Sequence, residues 1–74
     1  MKALVEHIVK AIVDQPDFVQ VEEVEEGQTL NLRLTVHPED MGKVIGKQGR
    51  TVKAIRSVVY AATPSQRVRL DIVD

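Results

Sequence analysis

Cysteine and tryptophan are absent from this 74-residue chain, and phenylalanine and tyrosine occur once each. Without cysteine, neither a disulfide framework nor a thiolate metal site can reinforce the fold. A single core of this size supplies only about 3–5 kcal/mol of net stability, so further support must come from idealised packing or a second chain. With Phe18 and Tyr60 as the whole aromatic complement, a sheet surface that stacks several nucleobases is excluded. No apolar run is long enough to cross a bilayer and no signal-peptide pattern is visible; the expected location is the cytoplasm, with no membrane partner. A hydrophobic share of 43% and a charged share of 28% are those of a globular domain rather than a disordered chain.

The formal net charge of −1 conceals an asymmetry. Residues 1–42 carry three basic side chains against nine acids, and residues 43–74 carry seven against Asp71 and Asp74. Separation of charge between halves points to a polyanionic partner. Lys43, Lys47, Arg50, Lys53 and Arg56 follow one another with no acid between them. A charge run alone is usually a solvated helix face, so its context has to decide.

Apolar residues at three- and four-residue spacing (Leu4, Val5, Ile8, Val9 and Ile12) predict a helix over Met1–Asp14, stopped by Pro16. Phe18–Glu25 reads as a strand with Val19 and Val21 on one face, where Val24 breaks the parity and suggests a bulge or an early end. Gly27 supplies a turn. Thr29–Val36 alternates Leu30, Leu32, Leu34 and Val36 with polar residues, a half-buried strand. His37 is read as a turn residue, and Pro38, Glu39 and Asp40 open a short helix with Met41, Val44 and Ile45 inward. Arg50–Ala62 is a helix with the stripe Val52, Ile55, Val58, Val59 and Ala62. Gln66–Val73 is a last strand with Val68, Leu70 and Ile72 inward. The order α-β-β-α-α-β makes one two-layer α+β domain over residues 1–74, three strands against three helices.

The informative stretch is Val44-Ile45-Gly46-Lys47-Gln48-Gly49-Arg50. A helix N-terminus leaves four backbone N–H groups without intrahelical acceptors and carries positive partial charge. At Arg50 no Ser, Thr, Asn or Asp stands at the cap, and Lys47 and Arg50 add cations where an acid would be favourable. An external anion would satisfy such a start, since amides at a helix N-terminus bind phosphate and glycines let it approach. The competing explanation is a turn that needs two glycines for its φ angles. A mononucleotide P-loop does not fit, because Gly42 and Gly46 are separated by three residues and Gln48 occupies the magnesium-ligand position. A dinucleotide fingerprint lacks its Gly-x-Gly. A helix-hairpin-helix DNA module is nearer, but its glycine spacing differs and strands flank this unit.

The run Val44–Ile55 resembles the signature of the KH domain, whose GXXG loop clamps the backbone of about four nucleotides. The helix and strand ahead of the β-α-α-β core are similar to the type II arrangement, which implies a mixed three-stranded sheet. The start Met1–Val5, the segment Pro38–Arg50 and the ending Asp71–Asp74 extend the resemblance to the small bacterial single-KH proteins of the KhpA family. It implies binding of single-stranded RNA, a role as post-transcriptional regulator or RNA chaperone, and no catalysis or cofactor. It also implies a homodimer and a complex with a larger KhpB/Jag-type companion. The short segment Ala61–Gln66 is a mild departure that bears on sequence selectivity.

On that reading Gly46 and Gly49 admit the sugar-phosphate backbone and Lys47 and Arg50 neutralise phosphates. Gln48 lies between them, Ile45 and Val52 form an apolar base platform, and Lys53 extends the cationic track. Lys43, Arg67 and Arg69 are weaker candidates, and Arg33 is taken as solvated. Ala54, Ser57 and Ala61 form a strip of small side chains on the last helix beside Tyr60, a candidate dimer surface. No catalytic constellation is visible: His7 and His37 stand apart, Ser57 and Ser65 have no adjacent base, and Glu22, Glu23, Glu25 and Glu26 lack the spacing of a cation loop. A protein–protein adaptor with the same fold and a helix-hairpin-helix-like DNA binder are the remaining alternatives.

Overall fold

The computed structural model describes residues 1–73; Asp74, which closes the resembling C-terminal segment, lies outside the described residues. Helix α1 spans Lys2–Lys10, strands β1 and β2 span Gln20–Glu26 and Thr29–Thr35, helices α2 and α3 span Met41–Ile45 and Arg50–Ala62, and β3 spans Arg67–Ile72. Short 3₁₀ turns at Pro16–Phe18, Pro38–Asp40 and Lys47–Gly49 join them. The expected order α-β-β-α-α-β is therefore the observed one.

Strand order is β1-β2-β3, with β1 and β2 antiparallel and β2 and β3 parallel. Gly27, at φ +60°, makes the hairpin turn. A parallel pair needs a crossover, and the α2–α3 unit supplies it. Leu30, Leu32 and Leu34 of β2 stand opposite Val68, Leu70 and Ile72 of β3. With Val19 and Val21 they form the apolar face on which Val5 and Val9 of α1, Val44 of α2, and Ile55 and Val59 of α3 are buried. The other face of the sheet is polar and open.

Several element details differ from the sequence reading. Helix α1 ends at Lys10 rather than Asp14, because the Ala11 and Ile12 N–H groups bond tightly back to the Ile8 and Val9 carbonyls. The Asp14 and Gln15 N–H groups are taken by the Asp40 carboxylate. Phe18 belongs to the 3₁₀ turn, half exposed and edge-on to His37 at 4.7 Å between centroids. Strand β1 has no bulge: its register runs unbroken from Gln20 opposite Thr35 to Glu26 opposite Thr29. Val24 falls on the open face, while Glu23 and Glu25 lie at the rim of the covered face. There Glu23 accepts from the Lys2 N–H and Glu25 from the Gln66 amide. Val58 is 49% exposed, because Val52, Ile55 and Val59 already fill the side of α3 that meets the sheet.

Candidate nucleic-acid interface

Helix α2 has five residues, too few to hold itself in water, so its placement depends on what it touches. Val44 is fully buried, Met41 packs on the core, and Ile45, expected inward, is 39% exposed. At its far end the Gly46 N–H closes onto the Gly42 carbonyl at 2.8 Å. The chain then turns sharply: Gly46, Gln48 and Gly49 all have positive φ, at 75°, 58° and 75°. The Gly49 N–H bonds to the Gly46 carbonyl at 3.1 Å and that of Arg50 to Lys47, which makes the 3₁₀ turn leading into α3. The helix start is thus extended by one tight turn. For Gln48 the left-handed conformation costs about 1–2 kcal/mol, and strain of this kind concentrates at functional sites.

The two loop glycines serve different ends. A Cβ on Gly46 would stand 2.7 Å from Thr51 Cβ and 2.8 Å from Thr51 N, inside the protein. Gly46 therefore allows the first turn of α3 to close against α2. On Gly49 a Cβ would meet only Lys53 Cε, at 4.0 Å. Gly49 is needed for its φ, and its surroundings are open to a ligand.

No side chain caps α3 and its first turn holds no acid. Among the described residues no carboxylate accepts a hydrogen bond from the loop amides. The side chains of Lys47, Gln48 and Arg50 are exposed, and the stem of Lys53 passes beside Gly49. Ile45 adds an exposed apolar surface at the loop's entrance, but Val52 is buried, so Ile45 alone is available as a platform.

The cationic run divides by partner. Lys43 reaches the Asp14 carboxylate, and that hydrogen bond, helped by the nearby charges of Asp14 and Asp40, holds its ammonium above the ordinary lysine value. A raised lysine pKa means that the Lys43 contribution is fully present below the ordinary lysine value of 10.5, while Asp14 is ionised, and is lost only as pH rises through the raised value. Arg56 donates through Nε and Nη2 to the Leu70 carbonyl at 3.1 and 2.9 Å, capping the free edge of β3. Arg67 and Arg69 stand opposite Thr29 and Asn31, on the sheet face turned away from the helices, and are not brought to the loop. Lys47, Arg50 and Lys53 remain there.

On α3, Ala54, Ser57, Tyr60 and Ala61 are all exposed, and Val58 stands among them. Ser57 turns its hydroxyl onto the Lys53 carbonyl at 3.0 Å, which leaves this strip with little polar surface. Among the described residues no group of three His, Cys, Asp or Glu side chains is placed to hold a metal ion, and no helix is long and apolar enough to cross a membrane.

A family model described as the KH domain of KhpA/KhpB matches residues 2–73. The chain belongs to that KH-domain family. Its topology is the type II arrangement that the sequence implied, with α1 and β1 ahead of the β-α-α-β unit. A relative named RNA-binding protein KhpA from Halalkalibacterium halodurans is 66% identical, with all of both chains aligned. The protein of that name from Bacillus subtilis is 50% identical over all of this chain and 94% of its own. That from Streptomyces coelicolor is 49% identical over all of this chain and 92% of its own. No solved structure gives a significant match.

Two contributors to the site escaped sequence reasoning: Thr51 packs on Gly46, and Asp40 anchors the segment before the loop. Gln48 was named as a site residue, but its strained φ was not, although a residue between two turn glycines inherits their geometry. Thr51 and Asp40 act through contacts that no local pattern announces.

Proposed function

We propose that this chain binds single-stranded RNA by clamping its sugar-phosphate backbone at the Gly46–Gly49 loop, without catalysis. The observation that carries the reading is the exposed, strained loop leading into a helix with no side-chain cap, whose nearest charged side chains, Lys47, Arg50 and Lys53, are all cationic. Lys47 and Arg50 neutralise phosphates, Lys53 extends the track, the Gln48 amide side chain lies between them, and a base rests on Ile45. The names of the relatives support the same class of partner. Two aromatic residues limit base stacking, so affinity per module is modest and depends strongly on salt.

The protein works in the cytoplasm as a post-transcriptional regulator or RNA chaperone. It pairs with a second copy through the exposed strip of α3, and two grooves then raise affinity by avidity. A KhpB/Jag-type protein is the heterologous companion. In gel shifts with single-stranded RNA, the double variant Lys47→Asp with Gln48→Asp loses at least tenfold in affinity while its melting temperature holds, since aspartate tolerates the left-handed φ. A protein–protein adaptor would show no RNA binding to lose.

A further inference from the structure

Among the described residues Asp40 is the one buried charged side chain, 1% exposed. It stands at the N-cap of α2 yet makes no side-chain cap to that helix. Its two carboxylate oxygens instead accept the N–H groups of Asp14, at 3.2 Å, and Gln15, at 3.0 Å. The Asp14 side chain in turn receives Lys43, one turn along α2. The segment after α1 is thereby latched twice to the five-residue helix that leads into the Gly46 turn. A buried carboxylate held only by backbone N–H groups is costly to keep and costly to disturb, and α2 has one fully buried side chain besides.

We propose that Asp40 is a positioning residue for the RNA loop: it fixes α2, and through α2 the Gly46–Gly49 turn, without contacting RNA. The inference rests on the RNA-binding reading of that loop. The electrostatic and positional effects of Asp40 have opposite signs. Removing a negative charge behind a cationic site strengthens attraction for a polyanion. Loosening the helix that carries the site weakens binding, because the clamp must then be ordered during binding.

The test is Asp40→Asn, nearly isosteric but one acceptor short and uncharged, titrated with a single-stranded RNA oligomer well below its melting temperature. Affinity is expected to fall five- to twentyfold with the salt slope unchanged. The Gly46, Gly49 and Arg50 amides are expected to exchange hydrogen at least fivefold faster than in wild type, while Leu32 and Leu34 change less. Tighter or equal binding, or unaltered loop exchange, overturns the proposal. Should Asp40→Asn fail to fold, Asp14→Asn, at an exposed side chain, breaks the outer half of the latch. It also adds a net positive charge and frees Lys43, so weaker RNA binding supports the latch and tighter binding refutes it. If wild type binds no RNA, the loop reading falls, and the exchange comparison still decides the latch on its own.

Discussion

A methyl group at Gly46 would run into the backbone nitrogen of Thr51, whereas at Gly49 it would meet only the far end of a lysine stem. Gly49→Ala is therefore expected to cost only the left-handed strain, about 1–2 kcal/mol, and to leave a folded protein in urea titration. Gly46→Ala adds a clash with a neighbouring backbone to the same strain, and is expected to lower the denaturation midpoint well beyond that of Gly49→Ala. Equal midpoints would contradict the division of roles. The lysines divide in the same way. Lys47→Ala should reduce the salt slope of RNA binding by about one phosphate contact. Lys43→Ala should leave it unchanged, because its ammonium is already held by Asp14.

Among the elements, β2 and α3 were the most legible, since strict alternation and a helical stripe each leave one physical solution. The ends were less so. Helix α1 stops early as the Ala11 and Ile12 amides close back on Ile8 and Val9, and the following Asp14 and Gln15 amides go to the Asp40 carboxylate, 26 and 25 residues away, which nothing near Asp14 in sequence announces. Val24 breaks the alternation and suggests a bulge or an early strand end, yet the register is unbroken, and at the sheet rim Glu23 and Glu25 find partners on the nominally apolar face. Arg56 counted as one more cation in a run until its two bonds to the Leu70 carbonyl assigned it to the edge of β3. Arg56→Met is expected to lower stability by about 1.5–3 kcal/mol, the range for hydrogen bonds to charged groups, with RNA affinity of the folded protein unaltered. Val58, together with Ala54 and Ala61, makes the outward strip of α3 more apolar than the sequence suggested. If that strip pairs two chains, Ala54→Glu with Ala61→Glu should convert dimer to monomer by light scattering, and unchanged mass would exclude it.

For the whole molecule, the motif made the loop's backbone and its charge readable, because glycines and cations in a fixed order constrain both. The architecture holding that loop was not readable, since it consists of contacts that no local pattern announces: Asp40 with Asp14 and Arg56 with Leu70, far apart in sequence, and Gly46 with Thr51 across the turn. Stability is small in a domain of this size, about 3–5 kcal/mol. A single cavity at the fully buried Leu32, worth about 2–5 kcal/mol, is expected to leave Leu32→Ala largely unfolded by circular dichroism at 37 °C. The separation of acidic and basic halves gives the molecule a cationic pole at the start of α3. Three loop cations imply a logarithmic salt slope near −2 for one chain on single-stranded RNA, at about 0.7 per phosphate. The most direct measurement is a titration of single-stranded RNA into ¹⁵N-labelled protein, followed amide by amide. The largest shifts are expected from Ile45 to Lys53, with Arg67 and Arg69 on the opposite sheet face nearly still; shifts centred on that face, with the Gly46–Gly49 loop unmoved, would contradict the central claim.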